Sequence, residues 1–279
     1  MYSVSGRVHM VKQPRGGYVK PSQFRKIVCD DGLILNKNEN IHASVIGLAV
    51  DYLTRFLNGA DKTDAFSISL KGATIAELLG KKKSMNAATR LLKGIKGLDN
   101  KSIINACKLV TFDVWLRNTI GAINTRNYED TNPDRDTINN IKTLVKRSLT
   151  FFETYGPIVK DGFTFAPPNG DEEDYIKMNK TGKGNYGGYT PTVSSGDGDF
   201  LTSDTLWDFK VLKSNITSKH TLQLLMYWIM GQHSEQDMYK NITKLGVFNP
   251  RLNTIYLLDV KDIPNEVIDE VEKDVIGYM

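Results

Sequence analysis

The stretch that decides the fold is SGDGDFLTSDTLWDFKVLKSNITSKHTLQLLMYWIMGQ, residues 195–232. Turn-forming residues at 202–205 separate a short strand that ends at Leu201 from a second strand that begins at Leu206. The segment around QLLMY is apolar on nearly all sides, which is typical of a buried helix. The stretch therefore predicts two strands joined by a turn and followed by a helix.

Each of these strands carries an acidic residue. Side chains alternate along a strand, so Asp208 and Lys210 share one face, while Trp207 and Phe209 share the other, which we interpret as the core side. A tight turn would bring Asp199, near the end of the first strand, beside Asp208. Two adjacent carboxylates repel each other unless a cation lies between them, and hard oxygen ligands suit Mg²⁺ or Mn²⁺. The pair therefore predicts a metal site.

Polar residues on the following helix point to the same chemistry. Gln223 and Tyr227 are four residues apart and share a helix face. If they are buried they need polar partners, which a metal-bound water or a phosphate would supply. Lys210 would position that water or neutralise developing charge. The alternative is an ordinary surface hairpin followed by a core helix in which the glutamine and tyrosine have other partners.

Three short motifs, in this order, resemble the PD-(D/E)XK nuclease superfamily. GDGD at 196–199, DFK at 208–210 and QLLMY at 223–227 are similar to the GxxD, (D/E)xK and QxxxY signature of its RecB-type branch. The resemblance covers residues 137–279. It implies a restriction-endonuclease-like core, in which helices flank a mixed sheet, and metal-dependent phosphodiester hydrolysis. DNA is the expected substrate, with RNA as an open alternative.

The resemblance also implies a role for each matching residue. Asp199 and Asp208 would bind Mg²⁺ or Mn²⁺, and Lys210 would position the attacking water. Gln223 and Tyr227 would orient the site or the scissile strand.

Two more acids are candidate metal ligands. Asp197 stands inside GDGD where the family pattern usually has an apolar or neutral residue, so it is an alternative to Asp199. Folds of this family open with a helix that often carries an acid facing the metal. Glu153 is the only acid in the helix predicted over residues 137–155, which makes it a further candidate. An exposed glutamate without that role is the alternative.

The composition limits the classes of protein to which the chain can belong. The chain has 279 residues, 40% of them hydrophobic and 24% charged, which is ordinary for one large or two small globular domains. It contains no apolar stretch long enough to span a membrane and no signal-peptide core at its start. Its 2 cysteines and 4 histidines show no metal-ligand spacing. These features predict a cytoplasmic protein without a membrane partner.

Charge divides the chain into a basic and an acidic half. Residues 1–150 hold 24 Lys and Arg against 13 Asp and Glu, whereas residues 151–279 hold 12 against 19. The polar, turn-rich residues 124–136 predict a boundary between a basic, mainly helical domain at 1–136 and a nuclease domain at 137–279. A nucleic-acid-binding domain joined to a domain with a metal site would have this charge pattern. The alternative is that both charged surfaces are merely solvated.

The densest cationic patch predicts phosphate contacts, with a solvated helix face as the alternative. It comprises Lys81, Lys82, Lys83, Arg90 and Lys93.

The long glycine-rich segment at 167–191 predicts a mobile loop over the site. In this loop Lys180 or Lys183 would contact a phosphate, and Tyr186 or Tyr189 would stack on a base. Disorder without a role is the alternative.

Two competing functions stay open at this point. One is a non-catalytic nucleic-acid-binding subunit that retains the nuclease fold. The other is an interaction subunit of a larger complex, with a helicase or another protein as partner. Repair, recombination and antiviral defence all fit, and the motifs do not determine whether ends or internal sites are cut.

Overall fold

The computed structural model describes residues 1–122, 127–168 and 186–278. The chain divides into two compact units. The first unit comprises Met1–Cys29 and Tyr155–Met279, and the second comprises Asp30–Thr154.

Strands and helices are numbered here in chain order within the described residues. The strands are β1 Tyr2–Ser3, β2 Arg25–Val28, β3 Lys160–Thr164, β4 Val193–Ser195, β5 Asp197–Leu201, β6 Thr205–Phe209, β7 Lys244–Asn249 and β8 Thr254–Asp259. The helices are α1 Val4–Met10, α2 Ala43–Leu57, α3 Lys62–Ala65, α4 Ser67–Leu78, α5 Ser84–Gly94, α6 Asn100–Leu109, α7 Asp113–Arg117, α8 Thr119–Ala122, α9 Arg135–Tyr155, α10 Ser218–His233 and α11 Asn265–Glu270. A π-helical turn, Val271–Ile276, follows α11.

The first unit is built on a mixed six-stranded sheet. Its strand order is β2-β8-β7-β6-β5-β3, and β1 and β4 form a separate parallel pair. Within the large sheet β6 and β7 are parallel, and the other neighbours are antiparallel. A parallel pair needs a crossover connection, which α10 provides. The predicted α/β class, with helices flanking a mixed sheet, is confirmed.

Helix α10 is apolar because it lies in the core of this unit. Its residues Leu222, Leu225 and Met226 are fully buried, and they belong to one cluster with Leu206 of β6 and Val247 of β7. Burying each such side chain contributes about 1.5–3 kcal/mol. The packing fixes the distance between α10 and the central strands, and therefore the position of the polar residues on the helix.

The first 29 residues belong to the sheet unit, which differs from the division predicted at residue 136. Val4, Val8, Val19 and Phe24 are buried in its core, and β2 adds an edge strand to β8. The long helix α9 falls almost entirely within the second unit. With the chain divided in this way, the contrast between a basic and an acidic part is much smaller than predicted. The first unit holds 18 basic and 18 acidic residues, and the second holds 18 and 14.

Throughout the described parts of the second unit, 30–122 and 127–154, the regular structure is helical. Asp99 caps α6, because its Oδ1 accepts hydrogen bonds from the backbone N–H groups of Lys101 and Ser102 at 3.0 Å. Helix α6 ends at Leu109, where a tight turn and two short helices begin. In neither unit does a described helix have the length and apolar character needed to cross a membrane.

Candidate metal centre

The site lies where β5 and β6 separate. The two strands pair at Phe200 with Trp207 and at Leu201 with Leu206. Next to these pairs, Oδ2 of Asp199 accepts a hydrogen bond of 2.5 Å from the backbone N–H of Phe209. The carboxylate of Asp199 therefore sits against the backbone directly beside Asp208, as the sequence predicts.

Asp208 is only 2% exposed. It is two residues from the core residue Leu206 on β6, so its side chain points to the face that α10 covers. Its Oδ2 lies 3.0 Å from Nζ of Lys210, yet no described group makes a well-directed hydrogen bond to this oxygen. The ammonium of Lys210 compensates the charge of this oxygen, but a buried carboxylate oxygen normally also accepts a well-directed hydrogen bond, so the atom retains the capacity to bind a further cation.

Lys210 follows the last residue of β6 and is held by the sheet. Its backbone N–H donates to the carbonyl of Phe248 at 3.0 Å, and its side chain is 24% exposed. Burial acts to lower the pKa of Lys210, but the negative charges of Asp208 and Asp199 outweigh it and raise the pKa above the ordinary value. Lys210 therefore carries its positive charge at neutral pH.

On α10, Gln223 and Tyr227 contact each other. Nε2 of Gln223 donates to the hydroxyl of Tyr227 at 2.7 Å, and the Tyr227 ring stacks on Phe165 with 5.5 Å between centroids. Burial raises the pKa of Tyr227 well above its ordinary value, and the charge of Asp208 adds to the effect. The hydroxyl is therefore neutral, and its hydrogen is available to an acceptor in the site.

His220 is a residue of this site that lies outside the three motifs. Its Nδ1 accepts a hydrogen bond of 2.9 Å from the backbone N–H of Thr217, in a capping box that begins α10. Burial lowers the pKa of His220, and the positive charge of Lys210 adds to the effect. A neutral ring that accepts at Nδ1 carries its proton on Nε2. The sequence feature that identifies His220 is its spacing from Gln223 and Tyr227. The three residues follow each other at intervals of three and four, which places them on one face of the helix.

The two further acidic candidates differ in their relation to the site, because the charge of Asp197 helps to raise the pKa values of Lys210 and Tyr227. Asp197 is exposed and paired with Thr164 of β3, so the contact of Asp199 with Phe209 favours Asp199 as the ligand. Glu153 is exposed in the last turn of α9, and its role stays a prediction. Among residues 1–122, 127–168 and 186–278, no group of three or more His, Cys, Asp or Glu side chains is placed to hold a metal ion.

The predicted cationic patch is exposed in the second unit, around the turn between α4 and α5 and along α5. Nζ of Lys81 lies 5.9 Å from the ring centroid of Trp115, and Arg90 donates to the hydroxyl of Tyr128 at 3.3 Å. Lys82, Lys83 and Lys93 are exposed as well. Contact of this patch with DNA stays a prediction.

The predictions for the glycine-rich segment at 167–191 differ in what the structure shows of them. Lys180 and Lys183 lie outside the described residues. Tyr189 is 2% exposed, its hydroxyl donates to the carbonyl of Gly196 at 2.8 Å, and its ring packs edge-on against Phe165. The prediction that Tyr189 stacks on a base is therefore wrong, because its ring is part of the core. Tyr186 is partly buried against the same core.

Two carboxylates, a charged lysine and a polar helix face thus meet at the end of β6. Comparison of the chain with protein-family models, with curated proteins and with solved structures gives no match.

Proposed function

We propose that the first unit is a metal-dependent nuclease that hydrolyses phosphodiester bonds in DNA. The observation that carries the proposal is the buried Oδ2 of Asp208, which lies beside Asp199 and Lys210 and accepts no hydrogen bond from the described residues. The order of elements adds support. Within the unit, the strands β3, β5 and β6, the helix α10, the strands β7 and β8 and the helix α11 follow each other in the order that the resemblance to the PD-(D/E)XK superfamily implies, with β4 as an addition between β3 and β5.

The donor atoms fit a hard divalent cation. Asp199 and Asp208 would hold Mg²⁺ or Mn²⁺ through carboxylate oxygens, which these ions prefer. A bound ion would polarise a phosphoryl oxygen and lower the pKa of a water molecule.

The chain's own residues would do the rest. Lys210 is charged and close to both carboxylates, so it is placed to hold the attacking water and to offset negative charge that develops on the phosphate. In the ion pair with Asp208 the pKa of Lys210 is raised, and we assign to Lys210 the role of a cation and hydrogen-bond donor. Tyr227 and His220 present an O–H and an N–H from α10, and these donors would orient the scissile phosphate.

The test is cleavage of labelled DNA. Purified protein is incubated with linear, circular, single-stranded and double-stranded DNA in Mg²⁺ or Mn²⁺, with EDTA as the blank and an RNA oligonucleotide as a separate arm. We expect metal-dependent cleavage of DNA, and a rate lower by on the order of 100- to 1000-fold in Lys210→Gln. Lys261→Gln, at an exposed lysine after β8, is the matched control and should cleave like wild type.

Two outcomes would contradict the proposal. Binding of DNA without cleavage of any substrate would favour the non-catalytic subunit. Cleavage that Lys210→Gln leaves unchanged would place the chemistry elsewhere. Melting curves of both variants show whether a lost activity reflects lost folding.

A further inference from the structure

The first 29 residues carry an unusual charge pattern for this unit. They contain six basic residues and no acidic residue. One of them is structural, because the guanidinium of Arg7 donates to the carbonyls of Val275 and Asp274 at 2.8 and 2.9 Å. The other five are exposed, and they are Lys12, Arg15, Lys20, Arg25 and Lys26.

Residues 12–26, which we call the basic segment, are fixed to the first turns of α10. Nε2 of Gln13 donates to the carbonyl of Ser218 at 3.2 Å, and the hydroxyl of Thr221 donates to the carbonyl of Val19 at 2.5 Å. Gly17 has a φ of +98° and lies so close that an added Cβ would be 2.5 Å from Cβ of Ser218. The cations are therefore carried by an anchored segment.

The same end of α10 leads into the candidate metal centre. His220 follows Ser218 by two residues, and Gln223 and Tyr227 continue its face. A second contact comes from Lys26, whose Nζ donates to Oδ1 of Asn215 at 3.0 Å. Asn215 lies in the connection between Lys210 and α10. The basic segment thus borders the site both at the start of α10 and at the connection that precedes it.

Three cations of the basic segment have no acidic partner among the described residues. As far as the described residues show, Lys12, Arg15 and Lys20 form no ion pair. The nearby acids Glu270 and Asp274 instead face Tyr18, whose pKa is raised mainly by burial and further by their charges. Exposed cations beside the candidate metal centre, without acidic partners among the described residues, match the charge of a phosphate backbone.

We propose that the basic segment binds the phosphate backbone of the nucleic-acid strand that enters the metal centre. The inference rests on the proposed nuclease function and adds to it a binding surface within the sheet unit itself. The segment holds the strand by charge and carries no base recognition, so its contribution is independent of nucleotide sequence.

The test is the salt dependence of binding in EDTA, where no cleavage is needed. Fluorescence anisotropy of a labelled DNA duplex is measured over a series of KCl concentrations for wild type and for Lys12→Gln/Arg15→Gln/Lys20→Gln. Each lost phosphate contact lowers the slope of log K against log[salt] by about 0.9 for a duplex. We expect the slope to fall by about 2–3 in the triple variant, with weaker binding at every salt concentration.

The matched control removes three charges from the same unit at exposed lysines outside the segment. Lys160→Gln/Lys240→Gln/Lys261→Gln should bind like wild type. Because the substituted residues are exposed, both triple variants should melt within a few degrees of wild type. If the first triple variant does not fold, Arg15→Gln alone should lower the slope by about 0.9.

The outcomes separate this inference from the nuclease proposal. An unchanged slope and affinity in the triple variant, with normal cleavage by wild type, would overturn the inference and leave the function standing. A reduced slope in the triple variant, with no cleavage by wild type in Mg²⁺ or Mn²⁺, would support the binding surface and contradict the nuclease.

Discussion

The ammonium nitrogen of Lys210 lies 3.0 Å from Oδ2 of Asp208, and the two residues are neighbours on the same face at the end of β6. Asp208 is buried, whereas Lys210 keeps partial contact with solvent. The lysine is therefore the cation that compensates the buried carboxylate when no metal is bound. Residues proposed to perform the chemistry also determine how stable the unit is.

The first prediction concerns this pair in EDTA. Lys210→Met leaves the carboxylate of Asp208 buried without its cation. Breaking a fully buried pair costs about 3–5 kcal/mol, and the 24% exposure of Lys210 lowers our expectation to about 2–4 kcal/mol. Asp208→Asn/Lys210→Met removes both charges and should be more stable than Lys210→Met alone. Urea unfolding of the wild type, Asp208→Asn, Lys210→Met and the double variant measures the coupling free energy between the two charges. Additive effects would show that the two charges do not interact.

A second prediction separates the hydroxyl of Tyr227 from its ring. Tyr227→Phe keeps the stack on Phe165 and removes the hydrogen bond from Gln223, so it should cost about 0.5–1.5 kcal/mol. Tyr227→Ala opens a cavity in the core and should cost about 3–5 kcal/mol. We expect Tyr227→Phe to fold and to cleave DNA more slowly than wild type. Full cleavage by Tyr227→Phe would reduce the role of Tyr227 to packing.

The local signals in the sequence predicted the elements around the site. Turn formers at 202–205 placed the break between the two strands, and the structure has β5 ending at Leu201 and β6 starting at Thr205. The helix predicted over residues 137–155 is α9, Arg135–Tyr155. Turn chemistry and apolar periodicity depend on neighbouring residues alone, so they are readable without the fold.

The orientation of β6 could not be read in the same way. Alternation separates Trp207 from Asp208 but does not show which side faces α10, and the sequence favours the side of Trp207 as the core side. The cluster around α10 instead contains Leu206, on the face of Asp208. Trp207 is also buried, at 1% exposure, and lies where Gly246 leaves room for its ring. A central strand covered on both faces has no polar side to reveal its orientation.

The role of the first 29 residues depends on contacts distant in sequence. β2 pairs with β8, so that Ile27 lies opposite Ile255. Val4 and Val8 occupy one side of a seven-residue helix whose remaining residues are mostly polar or exposed. Such short segments have too few apolar positions to define a period, and only the complete sheet shows what covers them. The predicted restriction-endonuclease-like core stays a prediction.

A third prediction concerns pH and the second unit. Arg147 donates from Nε to Oδ2 of Asp31 at 2.6 Å and from Nη2 to Oδ1 at 2.8 Å. Hydrogen bonding to Arg147 lowers the pKa of Asp31 below its ordinary 3.8. A carboxyl whose folded pKa is lowered contributes stability above its ordinary pKa and loses it as pH falls through the folded pKa.

Asp31→Asn should therefore be less stable than wild type at neutral pH, by about 1–3 kcal/mol for a charge-assisted pair. The difference between the two proteins should close as pH falls below 3.8. Urea midpoints measured at neutral and at acidic pH provide the check, and Asp30→Asn, at the exposed neighbouring residue, is the control. A difference that is independent of pH would mean that the ionised carboxylate contributes nothing.

The last prediction concerns the metal and which acids bind it. A ligand that binds only the folded state stabilises it, by about 2.7 kcal/mol at a concentration of 100 times its dissociation constant. Mn²⁺ should therefore raise the melting temperature of wild type, and Asp208→Asn should abolish the rise. Asp199→Asn should abolish it too, whereas Asp197→Asn should retain it, because Asp199 contacts the backbone beside Asp208 and Asp197 is exposed on β5. The opposite result for these two variants would make Asp197 the ligand. An equal rise in wild type and in Asp208→Asn would mean that Mn²⁺ binds elsewhere, and the two carboxylates at the end of β6 would then need another partner.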